Sequence, residues 1–244
     1  MSGWSKQRLA LNFAEAFQVQ GANPVQEDYF EINVDRGIFL LADGFGGSAG
    51  REAAELAVKS ARKFMEQEAG DLDATLPFEL RPYYSLAGNV LLNAIAFANQ
   101  TVFQRNQGRS WEHSGGASLI AGYLEGKLLS VAQVGACRLH LKRERQMKQV
   151  AAPKTLLSQV NPFLEEGEGD FIPLMSIGTT RRLEPEIVEV ELKAGDQLFF
   201  ETAGVGKRLR EAVGRIAGPS VLSQLVDEAQ PGLQANASMI WLGF

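Results

Sequence analysis

Residues 27–47 read EDYFEINVDRGIFLLADGFGG, and the fold is decided there. Asp28 to Val34 and Ile38 to Ala42 are two short strand-like runs. Asp35-Arg36-Gly37 between them supplies a glycine for the positive φ of a tight turn, so the stretch predicts an antiparallel hairpin. Glycines follow the second strand at Gly44, Gly46 and Gly47, and a helical period then takes over. Ala54, Ala57, Val58, Ala61, Phe64 and Met65 predict an amphipathic helix over Glu52 to Gln67. Leu91, Ala94, Ile95, Ala98 and Val102 predict a second over Leu86 to Gln104, with Pro82 suited to its first turn.

Working outward, Ala117 to Leu124 and Lys127 to Val134 are strands joined at Glu125-Gly126, and Arg138 to Lys142 reads as a third strand completing a meander. Residues 153–178 hold no sustained period and an acidic patch at Glu165, Glu166, Glu168 and Asp170, which predicts a surface excursion. Ile187, Val190 and Leu192 lead into a turn at Gly195-Asp196. A strand at Leu198 to Phe200, a helix from Val205 to Ile216 and a last strand at Met239 to Leu242 follow. Hairpins in place of crossovers predict an α+β fold: an antiparallel β-sandwich flanked by α-helices, as one domain over residues 1–244.

The chain has 244 residues, with 24 Lys+Arg against 29 Asp+Glu, a net charge of -5 and 45% hydrophobic residues. Such a composition buries a core without disulfides. The longest basic run is the mixed Lys142, Arg143, Glu144, Arg145, which argues against a nucleic-acid surface driven by counterion release. The N-terminus, Met1 to Leu11, lacks an apolar signal core. No later apolar run approaches the roughly 20 residues of a membrane helix. With one cysteine, Cys137, read as a small buried hydrophobe, the expectation is a cytoplasmic protein with neither nucleic acid nor membrane as partner.

Glu27 and Asp28 on the first strand and Asp43 after the second meet at one sheet end if the hairpin forms. Hard cations such as Mg²⁺ or Mn²⁺ take such oxygen ligands, and the glycines of the adjoining loop let backbone carbonyls approach an ion; the plainer reading is a Gly-rich turn started by Asp43. His113 and His140 lack a second histidine at metal-binding spacing and read as surface or satisfied polar residues. Trp4, Trp111 and Trp241 read as packing or surface anchors.

At this point the sequence resembles the PPM-type (protein phosphatase 2C-like) metal-dependent serine/threonine phosphatases. Glu27-Asp28 resembles the family's Asn-Glu-Asp segment and residues 41–47 its Ala-Asp-Gly-x-Gly-Gly segment. Gly115-Gly116-Ala117-Ser118, residues 131–135 with Arg138, Ile177-Gly178 and residues 195–198 fall where the family has later motifs, in the same order. The resemblance implies αββα layers with metal ions at one end of the sandwich. It implies hydrolysis of a phosphoserine or phosphothreonine ester by water bridging two ions. It assigns Asp28, Asp43 and the Gly44 carbonyl to one metal, with Glu27 acting through water.

The same resemblance exposes four departures. Thr-Asp-Gly is here Thr202-Ala203-Gly204, the terminal Asp-Asn is Ala235-Asn236, Val-Gly-Asp is Val134-Gly135-Ala136, and the phosphate-binding arginine is Asn23. Losing one preorganised electrostatic contact typically costs about 10²- to 10³-fold in rate, so several losses bring hydrolysis near background. At most one weakly held Mg²⁺ or Mn²⁺ is expected. Glu201, two residues before Ala203 on one strand face, falls short of the vacated position because two strand residues span roughly 6 to 7 Å. Alanine at three places also raises the alternative of a deliberate knock-out, against which Asn23 stands. The expectation is a degenerate, pseudophosphatase-like module binding a phosphoprotein or signalling partner. Its rival is an active Mg²⁺- or Mn²⁺-dependent phosphatase with an atypical site. The excursion is shorter than the family's flap there, which leaves the site mouth more open.

Overall fold

The computed structural model describes residues 9–68, 79–164, 167, 169–216 and 218–244. Trp4 and three of the four acidic-patch residues, Glu165, Glu166 and Glu168, lie outside them. In chain order the strands are β1 (Phe13–Val19), β2 (Tyr29–Asn33), β3 (Ile38–Phe45), β4 (Gly116–Glu125), β5 (Leu128–Val134), β6 (Arg138–Arg143), β7 (Gln146–Ala151), β8 (Glu186–Glu191), β9 (Gln197–Glu201) and β10 (Ala237–Gly243). The helices are α1 (Ser48–Glu68), α2 (Leu86–Asn106), α3 (Leu156–Val160), α4 (Lys207–Arg215) and α5 (Leu222–Ala229).

Two antiparallel five-stranded sheets result, ordered β1-β10-β9-β6-β7 and β2-β3-β4-β5-β8. The layering is written in the strand alternation. On β3, Ile38, Leu40 and Ala42 pack with α1 and α2, while Phe39 and Leu41 point into the space between the sheets. On β9 and β10, Leu198, Phe200, Ile240 and Leu242 meet them there, and Phe199, Met239 and Trp241 turn outward to α4 and α5. Side chains alternate with period two, so each strand serves two cores. Phe39 and Phe200 lie with ring centroids 6.1 Å apart at the sandwich centre, where truncation of either to alanine costs about 3–5 kcal/mol. Trp241 is packing, edge-on to Phe13 at 4.6 Å and stacked on Phe199 at 6.1 Å.

The predicted hairpin is β2–β3, closed by Gly37 at φ 68 with its N–H on the Val34 carbonyl. α1 starts four residues before the predicted Glu52, as soon as the glycine turn ends. α1 and α2 pack side by side on the β2–β8 sheet. Pro82 lies outside α2, in the turn before the N-cap Ser85, whose hydroxyl accepts from Gly88 N–H. α2 is long and apolar enough to cross a membrane, contrary to the expectation that no run approaches that length, and 67% of that stretch is buried in the protein.

The meander is corrected. β4 and β5 pair, but the chain crosses at Gly135, held at φ 86, and β6 joins the other sheet between β9 and β7. β1, β7 and α5 are additional elements. The excursion is not all surface: α3 is capped by Thr155 and Ser158, and Asp170 is buried against Arg138 at 2.9 Å.

Candidate functional site

Both sheets end at one edge of the sandwich, where the segment before β2, the β3–α1 turn, the segment after β9 and the approach to β10 converge. Gly204 permits the convergence: a Cβ there would lie 1.9 Å from the Asn236 carbonyl oxygen, so no side chain fits between the two segments. The cleft they enclose measures about 340 Å³ and is lined among others by Asn23, Glu27, Asp43, Gly44, Ala235 and Asn236. The structure therefore brings together the dispersed positions singled out in the sequence, Ala203 included, since its N–H donates to Asp43 Oδ2 at 3.1 Å.

Each carboxylate is held by the chain itself. Asp28, 2% exposed, accepts through Oδ2 from Ser238 Oγ at 2.7 Å and Thr202 Oγ1 at 3.1 Å, while its Oδ1 is buried with no donor. Glu27 Oε1 accepts from the Gly47 N–H at 2.5 Å, and Oε2 from Asn23 Nδ2 at 3.4 Å. Asn236 braces the approach strand, donating to the Val25 carbonyl at 2.7 Å and accepting from Gly21 N–H. Ala136 N–H donates to Ser118 Oγ at 2.9 Å, so a hydroxyl on the cleft wall now serves that corner.

Acids packed this closely resist ionisation. Desolvation, then the charge of Asp43, pushes the Asp28 carboxyl well above the carboxylate range. Desolvation, partly offset by the Ala203 N–H, and the charge of Glu27 bring Asp43 up to about 6. Burial also raises Glu27, against the pull of the Gly47 N–H and the Asn23 amide. The Cys137 thiol is driven up by burial and by both aspartates, which leaves it unreactive.

A two-ion centre does not fit this donor set. Ala203 and Ala235 present methyl groups, one oxygen of Asp43 is committed to a backbone N–H, and Asp28 is turned to two hydroxyls. Among the described residues no group of three or more His, Cys, Asp or Glu side chains is placed to hold an ion. Glu201 is not a substitute: fully buried, it faces His140 Nδ1 at 3.1 Å and Arg210 Nε at 3.6 Å. His113 sits at the end of a short 3-10 turn, within 2.9 Å of Ser110 Oγ.

Sequence reasoning missed Ser238 as a donor to Asp28, its one trace being that it interrupts the apolar run of the last strand; Thr202 stood inside the Thr202-Ala203-Gly204 motif, but its role as a donor to Asp28 was not read there.

No protein-family model matches the chain, and no curated protein sequence does. Solved structures do match. The PPM Ser-Thr phosphatase MsPP from Mycobacterium smegmatis, in complex with cacodylate, is 19% identical with a TM-score of 0.76, over 97% of this chain and 100% of that one. The serine/threonine phosphatase Stp1 from Staphylococcus aureus is 18% identical at TM-score 0.77, covering 100% of this chain and 99% of its own. The catalytic domain of the phosphatase PstP, in complex with two manganese ions, is 18% identical at 0.75, over 96% and 98%.

Proposed function

We propose that this chain, whose fold is that of the PPM serine/threonine phosphatases, is a non-hydrolysing binding or regulatory module for a signalling protein whose phosphorylation state matters to the encounter. One observation carries the reading: where the chemistry of two bridged ions needs oxygen donors, the cleft has the Ala203 and Ala235 methyls, and each remaining carboxylate has at least one oxygen engaged by the chain itself.

Phosphoryl transfer to water needs ions to lower the water pKa and to neutralise the phosphoryl oxygens. Without them Glu27 and Asp43 would face a phosphate dianion as like charges, and Asn23 supplies no bidentate guanidinium to offset that. The residues that remain can hold at most one hydrated Mg²⁺ or Mn²⁺, through Asp43, the Gly44 carbonyl and, by way of water, Glu27. Such an ion would supply local charge neutralisation. The module acts on protein partners in the cytoplasm.

The test is hydrolysis of p-nitrophenyl phosphate and of a phosphoserine peptide by the unmodified chain over a Mn²⁺ range reaching millimolar. Turnover at background supports the proposal. Metal-dependent turnover on the order of 1 s⁻¹ or faster, an ordinary enzyme rate, would restore the rival reading of an active phosphatase built on Glu27, Asp28 and Asp43.

A further inference from the structure

A second groove, of about 1200 Å³, lies between α2 and the segment that leads into β8. Its α2 wall is a single helical stripe of Ala96, Gln100, Phe103, Gln104 and Gln107, residues spaced three and four apart so that they share a face. At 1.5 Å per residue the stripe is roughly 16 Å long, enough for about five residues of extended chain. The facing wall holds Arg181, Arg182 and Leu183.

The two walls are fixed to each other. Asn99, 2% exposed, donates through Nδ2 to the Thr180 carbonyl at 3.0 Å and accepts from the Gly178 N–H through Oδ1 at 2.8 Å. Thr180 Oγ1 donates in turn to the Arg182 carbonyl at 2.9 Å. The backbone carrying the two arginines is therefore held in place before anything binds, while both side chains stay exposed. Order already present in the free protein is not lost on association.

Charge selects the occupant. Two acids line the groove, Glu79 and Glu184, and both are spent on Arg81, at 2.7 and 3.0 Å. The guanidiniums of Arg181 and Arg182 have no carboxylate or carbonyl partner among the described residues. Gln100, Gln104 and Gln107 face them with side-chain amides, and Phe103, Met175 and Leu183 supply apolar surface. A phosphoryl group takes charge-assisted hydrogen bonds from two such guanidinium forks at once. A basic segment or a second copy of this face would set like charges together, which costs affinity. The cleft is the reverse, with Glu27 and Asp43 and no Lys or Arg in its lining. Phe171 and Pro173 line the cleft and Met175 the groove, so one short limb forms a wall of each.

We infer that this groove, and not the degenerate cleft, is where the partner's phosphoryl group is read: an extended phosphoserine or phosphothreonine segment lies along α2 with its phosphate on Arg181 and Arg182. The inference rests on the non-hydrolysing reading and gives that module a recognition site of its own. Arginine pairs recognise phosphorylated segments by this chemistry, and the apolar groove surface and glutamine amides hold the residues on either side of the phosphate.

The experiment is fluorescence anisotropy with the full chain in EDTA and two labelled probes, a short Ala/Leu peptide carrying one phosphoserine and the same peptide with serine, with inorganic phosphate as competitor. The phosphorylated probe is expected to bind at least roughly ten-fold tighter than the serine probe and to weaken with salt. Arg181→Gln combined with Arg182→Gln, both at exposed positions, should abolish that preference with the melting temperature unchanged, and Gln104→Glu on the facing wall should reduce it. Equal binding of the two probes overturns the inference, as does an undiminished preference in the double arginine variant. Displacement by inorganic phosphate at the concentration of phosphopeptide that displaces the probe also overturns it, because the site then takes a free anion and reads no segment. Tighter binding in Asp71→Asn with Asp73→Asn would do the same, since the arginines would then be answering acids of the chain itself. Loss of phosphate from the probe when Mn²⁺ replaces EDTA would sink the non-hydrolysing reading, while the dependence of affinity on Arg181 and Arg182 still decides the inference.

Discussion

Replacing Asp43 by asparagine should stabilise the metal-free protein at neutral pH and leave it unchanged in acid. Asp43 titrates at about 6 in the folded chain against 3.8 for an unperturbed aspartate. A group whose folded pKa is raised binds its proton more readily when folded, so stability falls as pH climbs from 3.8 through about 6 and then stays at the reduced level. At full burial that shift corresponds to about 3 kcal/mol. Because Asp43 is partly open to the cleft, water screens some of it, and about 1–2 kcal/mol is the expected gain. The asparagine side chain keeps an acceptor for the Ala203 N–H, and its amide can donate toward Asp28, whose Oδ1 lacks a donor. The assay is urea denaturation with EDTA present, at pH 7.5 and pH 4. The reasoning fails if Asp43→Asn destabilises at pH 7.5, or if its effect is equal at the two pH values.

Three further outcomes follow from the same geometry. Ala203→Asp with Ala235→Asp should raise Mn²⁺ affinity in calorimetry, and adding Asn23→Arg should bring metal-dependent hydrolysis above the parent; tight metal binding without hydrolysis would place a further loss in the residues that support the ligands or in the flap, residues 153–178. Asp170→Ala should let chymotrypsin cut at Phe163 or Phe171 at least roughly ten-fold faster by freeing the flap limb, since losing one partner of a buried pair leaves the other charge uncompensated; an unchanged rate contradicts the anchoring. Glu201→Gln should cost about 2–3 kcal/mol in a urea melt, because a buried acid between His140 and Arg210 is removed, and should leave Mn²⁺ binding as it was; a drop in Mn²⁺ affinity would make Glu201 a ligand.

Much of the fold was legible where local chemistry and tertiary environment agree. The β2–β3 hairpin showed because Gly37 marks its turn, and α1 and α2 showed because one face of each is apolar at helical spacing. β6 misled because adjacency in sequence implies pairing, whereas Gly135 redirects the chain to the other sheet. β1 and β7 lie at the sheet edges, with several solvent-facing positions that blur the apolar pattern. Asp170 looked like surface charge among glutamates; only Arg138, on a strand far along the chain, explains its burial. The cleft residues were legible through collinear motifs. The hydrogen bonds to Asp28 and Asp43 from Ser238, Thr202 and the Ala203 N–H were not, since those partners come from β10 and the segment after β9, on the other sheet from Asp43.

The most direct measurement is anomalous diffraction from crystals of the unmodified protein soaked in millimolar Mn²⁺. The donors around Asp43 predict no pair of ions, and at most one peak of low occupancy beside Asp43 and Gly44. Two well-occupied peaks within about 4 Å of each other, the separation of working two-metal sites, would contradict the account.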